Sequence, residues 1–229
     1  MIFVERTLYH FPLDPASRQA RLALGEKRLP FEPVVVRYWE EPAEFTKLNP
    51  SGLTPVLVEA EAGKRMVVCE VRAILEYLEE QHPQPGLLGR DAAERAETRR
   101  LMQWFDRKFD AEVDSYLLRE KLEKRLTKMG APDLSNMRLG REALRTHLAY
   151  IEKLLAARDW LAGPRLSLAD FAAAAHVSVL DYFGDVPWRE NPGVKTWYMK
   201  VKSRPCFRPL LADRWPGLAP AGHYDDLDF

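Results

Sequence analysis

Three places in the chain set polar or ionisable side chains beside a turn or a helix start, where they could meet a small ligand. His10 lies in a β-prone stretch, Thr7–Phe11, and is followed by Asp14-Pro15 and Ser17 at the opening of a helical pattern. An imidazole or hydroxyl at that point could donate a hydrogen bond to an anionic ligand, whereas an ionised Asp14 would repel one. Thr54-Pro55 follows the turn cluster Asn49-Pro-Ser-Gly52. Glu70-Val71 follows the apolar run Met66-Val-Val68 and opens a helical pattern that continues to Leu78. A helix start of that kind offers main-chain N–H groups and a positive dipole end, enough for weak anion binding. Cys69 and Cys206 are far apart and lack histidine or cysteine neighbours at metal-ligand spacing. The chain therefore reads as a reduced, cytoplasmic protein with no structural zinc site or disulfide.

Bulk properties exclude more than they include. At 229 residues the chain suits one large domain or two small ones. The 34 basic and 34 acidic residues cancel, leaving no electrostatic footprint for nucleic acid or an anionic membrane surface. The longest apolar run, Phe171–Val177, is too short to span or insert into a membrane, and the N-terminus is not a secretory signal.

The elements that must position those side chains alternate in type over the first 80 residues. Strands at Thr7–Phe11, Phe31–Val36, Thr54–Val58 and Arg65–Val68 frame a helix over Ala16–Glu26 and another from Glu70. The order β-α-β-(α)-β-β-α fits a small mixed sheet covered by helices, so residues 1–81 form an α/β domain. His82-Pro-Gln-Pro-Gly86 opens a linker over 82–92, and an all-helical domain follows over 93–214. There Leu101, Phe105, Phe109, Val113 and Leu117 form one core-facing stripe. A second helix carries Ala143 to Leu155, Ser167-Leu-Ala-Asp170 has the form of a structural capping box, and a last helix runs from Asn191 to Met199. Residues 215–229 hold too much proline and glycine for a helix yet keep Trp215, Leu218, Tyr224, Leu227 and Phe229.

With these motifs in order, the chain resembles the cytosolic glutathione S-transferase family. Leu8–Leu13 with Ser17–Leu24 resembles its first strand and helix, Asn49–Leu57 its cis-proline segment, and Glu70–Leu78 its third helix. Trp160–Gly163 with Ser167–Asp170, and Arg204-Pro205, resemble marks of its helical domain. The resemblance implies a thioredoxin-like α/β N-terminal domain plus an all-α C-terminal domain. It also implies a glutathione pocket: main-chain bonds from Thr54 before a cis Pro55, an acidic residue at Glu70, and a hydroxyl where Val71 stands. A missing donor costs about 1–3 kcal/mol, or roughly 5- to 150-fold in affinity. The thiolate-stabilising position falls at Asp14, or near His10, with Ser17 and Tyr9 as other donors. Tyr9 reads as core, Ser17 as packed in the first helix, and His10 as solvated at a strand end. No catalytic residue emerges, and glutathione binding is expected to be weak or absent.

Two features stand outside that pocket. Arg37-Tyr-Trp-Glu-Glu-Pro42 sets Tyr38 and Trp39 in a charged loop, either as an interface anchor or packed on the same domain or a dimer seam. The tail alternates acidic and apolar residues over Tyr224-Asp-Asp-Leu-Asp-Phe229. With the missing pocket groups, these features make the chain similar to the transferase-like bacterial division proteins that bind the tubulin-like GTPase FtsZ. That resemblance implies a homodimeric adaptor on FtsZ filaments at the division site. Trp39 and Tyr38 would form one contact, with Tyr224, Leu227, Asp228 and Phe229 a second, to FtsZ or to another division component. The competing readings are a divergent transferase or thiol-dependent reductase using His10 or Ser17, and a binding module for small apolar ligands.

Overall fold

In the computed structural model, which describes residues 5–61 and 63–228, the chain forms two compact units, Met1–Gly86 and Leu87–Phe229. In the first, β1 (Glu5–His10) leads through α1 (Pro15–Glu26) to β2 (Glu32–Val35), which lies parallel to β1 with Tyr9 opposite Val34. A parallel pair needs such a helical crossover. After a short 3-10 turn (Tyr38–Glu40) and α2 (Ala43–Leu48), β3 (Val56–Glu61) returns antiparallel to β1 and forms a hairpin with β4 (Lys64–Cys69). The sheet order is β2-β1-β3-β4. β3 begins two residues later than the β-prone stretch from Thr54, because the cis Thr54–Pro55 bond precedes it and proline brings no N–H to a ladder. β4 is an edge strand exposed over most of its length, and α3 (Val71–Gln81) buries Ile74, Leu75 and Leu78.

The stretch expected as a linker is held at both ends. Lys27 donates to the carbonyls of His82 and Pro85 and pairs with Glu79 at 2.7 Å, so residues 82–86 belong to the first unit. Leu87 and Leu88 are buried, and the Leu87 carbonyl accepts from the N–H of Leu168. They belong to the second.

That second unit opens with α4 (Ala92–Gln103), capped by Asp91. The winding then widens to a π form over Trp104–Asp114, passes through α5 (Ser115–Leu118), widens again over Arg119–Glu123, and ends at α6 (Lys124–Thr127). The stripe from Leu101 to Leu117 is fully buried, as its spacing predicts. α7 (Leu134–Leu155) starts at an Asp133 cap, well before the apolar run from Ala143. α8 (Leu168–Tyr182) is buried on every side, which is why its Ala-rich sequence shows no amphipathic stripe. The capping box forms, and Asp170 also accepts from the N–H of Leu161 and from Trp197 on α9 (Pro192–Lys202), both at 2.9 Å. A short α10 (Arg208–Leu211) precedes the tail. Among the described residues no helix is long and apolar enough to cross a membrane.

Candidate functional site

The pocket-forming residues of the first unit converge on one corner, where β1 runs into α1 and β4 into α3. Asp14 is the N-cap of α1: its carboxylate accepts from the main-chain N–H groups of Ala16 and Ser17. It also accepts from the Ser17 hydroxyl at 2.6 Å and the Thr54 hydroxyl at 2.9 Å. Burial pushes the Asp14 carboxyl above its ordinary range, against the opposing pull of those bonds. Asp14 is thus bound into the helix start and does not stand free to repel a thiolate. Ser17 is fully buried, and besides donating to Asp14 its hydroxyl accepts from the N–H of Phe11. It packs in the first helix as expected and cannot reach a ligand. His10 is buried too, correcting the expectation of a solvated strand end, because its side chain points to the covered face of β1. Tyr9 packs beside Phe45, Val56 and Val58, as its place in the strand predicts.

At the opposite side of the corner Glu70 caps α3 with φ 70° and ψ 133°, a left-handed backbone that a non-glycine residue holds only under constraint. Two residues that sequence reasoning passed over bond its side chain. The buried Asn49 donates to the Leu53 carbonyl at 2.8 Å and meets Glu70 at 3.4 Å, while the Ser51 hydroxyl donates to Glu70 at 2.8 Å. Their only signal was membership of a Pro-Gly turn cluster. Val71 is the first residue of α3 and brings no donor. Three hydroxyls of the corner, on Ser17, Ser51 and Thr54, therefore donate to carboxylates of the protein itself. Cys69, next to the corner, donates to the Leu48 carbonyl, and burial raises its thiol pKa first, the Glu70 charge second. It is a poor nucleophile. Among the described residues no cluster has the makings of a metal site.

Tyr38 and Trp39 are half-buried, not a projecting pair. Both meet the ring of Phe11 edge-on, at 5.9 and 5.1 Å, and Tyr38 packs on the Val36–Phe45 cluster. Trp39 keeps part of its surface open; Tyr38 is largely a domain-packing residue. Large apolar side chains lie more open elsewhere in this unit, at Val35, Leu53, Met66 and Val67.

The tail departs further from expectation. Tyr224, expected to meet a partner, is fully buried, with its ring edge-on to Tyr182 at 5.1 Å and its hydroxyl donating to the Leu210 carbonyl. The Ala221 N–H donates to the Tyr182 carbonyl, and the Tyr182 hydroxyl to that of Leu218. Leu227 and Asp228 are exposed; Phe229 lies outside the described residues. Elsewhere in this unit, α8 carries His176 with Nδ1 at 2.5 Å from Asp114 and Nε2 at 3.8 Å from Asp106. Burial alone would lower its pKa; the two carboxylates outweigh burial and push it up to about 10.

Residues 8–86 match the family model described as glutathione S-transferase, N-terminal domain, and residues 102–198 that of the C-terminal domain. The chain is 74% identical over 226 residues to FtsZ-localized protein A of Caulobacter vibrioides, covering 99% of each. The solved structure of FzlA from C. crescentus superposes with a TM-score of 0.97 at 73% identity, over 98% of this chain and 100% of that one. A glutathione S-transferase from Rhodospirillum rubrum superposes with a TM-score of 0.95 at 52% identity, over 98% and 100%.

Proposed function

The chain belongs to the glutathione S-transferase family, and on that premise we propose that it is a non-catalytic member: a cell-division protein that binds FtsZ filaments, modulates their organisation and promotes constriction at the division site. The observation that carries this reading is the 74% identity, over 99% of both chains, to a protein named for its localisation to FtsZ. The corner supports its non-catalytic half. With Val71 in place of a hydroxyl and with Ser17, Ser51 and Thr54 directed to internal carboxylates, no hydroxyl of these four positions is left to hold a glutathione carboxylate or thiolate. Glutathione then binds weakly or not at all.

The contacts follow from what stays accessible. Trp39 with the neighbouring Val35 offers one aromatic and apolar surface, and Leu227 with Asp228 offers a second. The exposed edge strand β4, with Met66 and Val67 outward, supports a symmetric dimer seam. A dimer presents each contact twice, so avidity on a filament raises apparent affinity by roughly 10²–10⁴. The test is co-pelleting of the purified protein with GTP-assembled FtsZ. Co-sedimentation at micromolar concentration is expected, and its absence overturns the proposal.

A second reading, a divergent transferase, is favoured by one observation: the positive-φ corner at Glu70 is kept although Val71 brings no hydroxyl. Retention on immobilised glutathione together with conjugation of a general electrophile would establish it.

A further inference from the structure

Beneath the tail lies a buried charge cluster that neither the family motifs nor the proposed contacts use. Asp181 and Lys202, both 0% exposed, face each other at 3.8 Å. The Asp181 carboxylate accepts from Trp188 Nε1 at 2.9 Å and the Tyr198 hydroxyl at 3.2 Å. His223 of the tail reaches it at 2.8 Å. The Lys202 ammonium donates to the main-chain carbonyl of Asp226 at 2.6 Å and sits over the rings of Tyr198 and Tyr224, at 5.8 and 5.7 Å. A buried ammonium is costly unless paired and hydrogen-bonded. Here one of its hydrogen bonds goes to the tail's own backbone, two residues before the exposed Asp228.

We infer that Asp181, Lys202 and His223 form an anchor for the tail, with Lys202 the positioning residue that fixes where Leu227 and Asp228 leave the helical unit. Three observations converge on this. The ammonium holds a main-chain atom, so it sets the path of the chain and not one side chain. Its counter-charge is fully buried, so solvent and salt do not loosen it. Asp226 in turn holds the tip, its carboxylate accepting from the Asp228 N–H at 2.9 Å, while Leu227 between them is 36% exposed. The tip thus carries one apolar and one acidic side chain at a defined exit, and the surface that receives it needs an apolar socket flanked by a cation. Pre-ordering those two residues removes an entropic cost of binding, so losing the anchor weakens the tip's contact about 3- to 10-fold.

This rests on the reading that the tail tip contacts a division partner, and the test separates the two. Lys202→Met keeps the side-chain volume and leaves Asp181 its three other donors, which offset part of the cost of removing its counter-charge. His223→Ala is the second variant, leaving the Asp181–Lys202 pair intact. In the full-length protein, hydrogen exchange over residues 224–228 should rise at least about 10-fold in Lys202→Met and less in His223→Ala, with α8 unchanged. Co-pelleting with FtsZ filaments should weaken about 3- to 10-fold. Unchanged exchange over 224–228 in both variants overturns the anchor whatever FtsZ does. Faster exchange with wild-type co-pelleting overturns the positioning role. A wild-type protein that fails to pellet overturns the FtsZ reading, while the exchange data still decide the anchor.

Discussion

The corner at Asp14 and Glu70 and the anchor at Asp181 are both carboxylates ringed by donors, but they are assembled in opposite ways. At the corner the bonds to Asp14 come from residues two and three positions on, and among the described residues only Thr54 comes from afar. At the anchor the donors Trp188, Tyr198 and His223 lie 7, 17 and 42 positions away, and a buried ammonium faces the same carboxylate. A locally capped carboxylate ties down one helix start. One that gathers distant donors ties α8, α9 and the tail into a single packed body. The corner can therefore change its side-chain chemistry, as Val71 illustrates, without loss of fold. The anchor cannot lose its carboxylate so cheaply.

The largest expected effect tests that asymmetry. Asp181→Ala leaves the Lys202 ammonium buried without its counter-charge and should destabilise by about 3–5 kcal/mol. Asp14→Ala removes a helix cap and should cost only about 1–2 kcal/mol. Urea unfolding of the two variants measures both, and equal losses would erase the distinction. Next comes pH, acting through His176. Its folded pKa is pushed up to about 10, above the unfolded value near 6.5, so its contribution is fully present below pH 6.5 and is lost as pH rises through about 10. Unfolding free energy should fall by up to about 1.4 kcal/mol per pH unit across that window, and His176→Gln should flatten the decline.

The same asymmetry explains what could be read in the sequence. Elements were legible because hydrophobic period reports burial: the stripe Leu101–Leu117 and the strands around the corner follow their patterns. The capping box at Ser167 was legible because its bonds span three residues. The tail was not. Its order depends on Tyr182, Asp181 and Lys202, and no local pattern in Trp215–Phe229 encodes that support. Tyr224 consequently looked like a free aromatic and is a core residue. Lys202 did leave a trace, since it stands four residues after Tyr198 on the buried side of α9, beside Val194, Trp197 and Val201. A lysine in a last helical turn ordinarily reads as a solvated match to the helix dipole, which hid it. At the corner, Val71 was legible as a missing donor; the commitment of Ser17 and Thr54 to Asp14 needed the fold.

A smaller effect asks whether one hydroxyl sets the weak glutathione binding proposed above. Val71→Ser restores the donor at the first turn of α3. Titration calorimetry should then show glutathione affinity about 5- to 150-fold above wild type, with stability within about 0.5 kcal/mol. No gain would place the defect in the engaged hydroxyls of Ser17 and Thr54 instead.

The smallest effect concerns the strain left behind at Glu70. Its φ of 70° disfavours any side chain, while its carboxylate accepts from Ser51 on an exposed surface. Glu70→Ala gives up the hydrogen bond and keeps the strain; Glu70→Gly gives up the bond and relieves it. Their difference cancels the bond and isolates the backbone term, so the glycine variant should be more stable by about 1 kcal/mol in urea midpoints. Equal stability would mean that the corner relaxes on substitution, and that its geometry is held by the Glu70 side chain. A glycine advantage would mean that the turn at Asn49 and Ser51 and the first turn of α3 impose the conformation on whatever residue stands there. In that case the corner is rigid by packing, just as the anchor is held by charge.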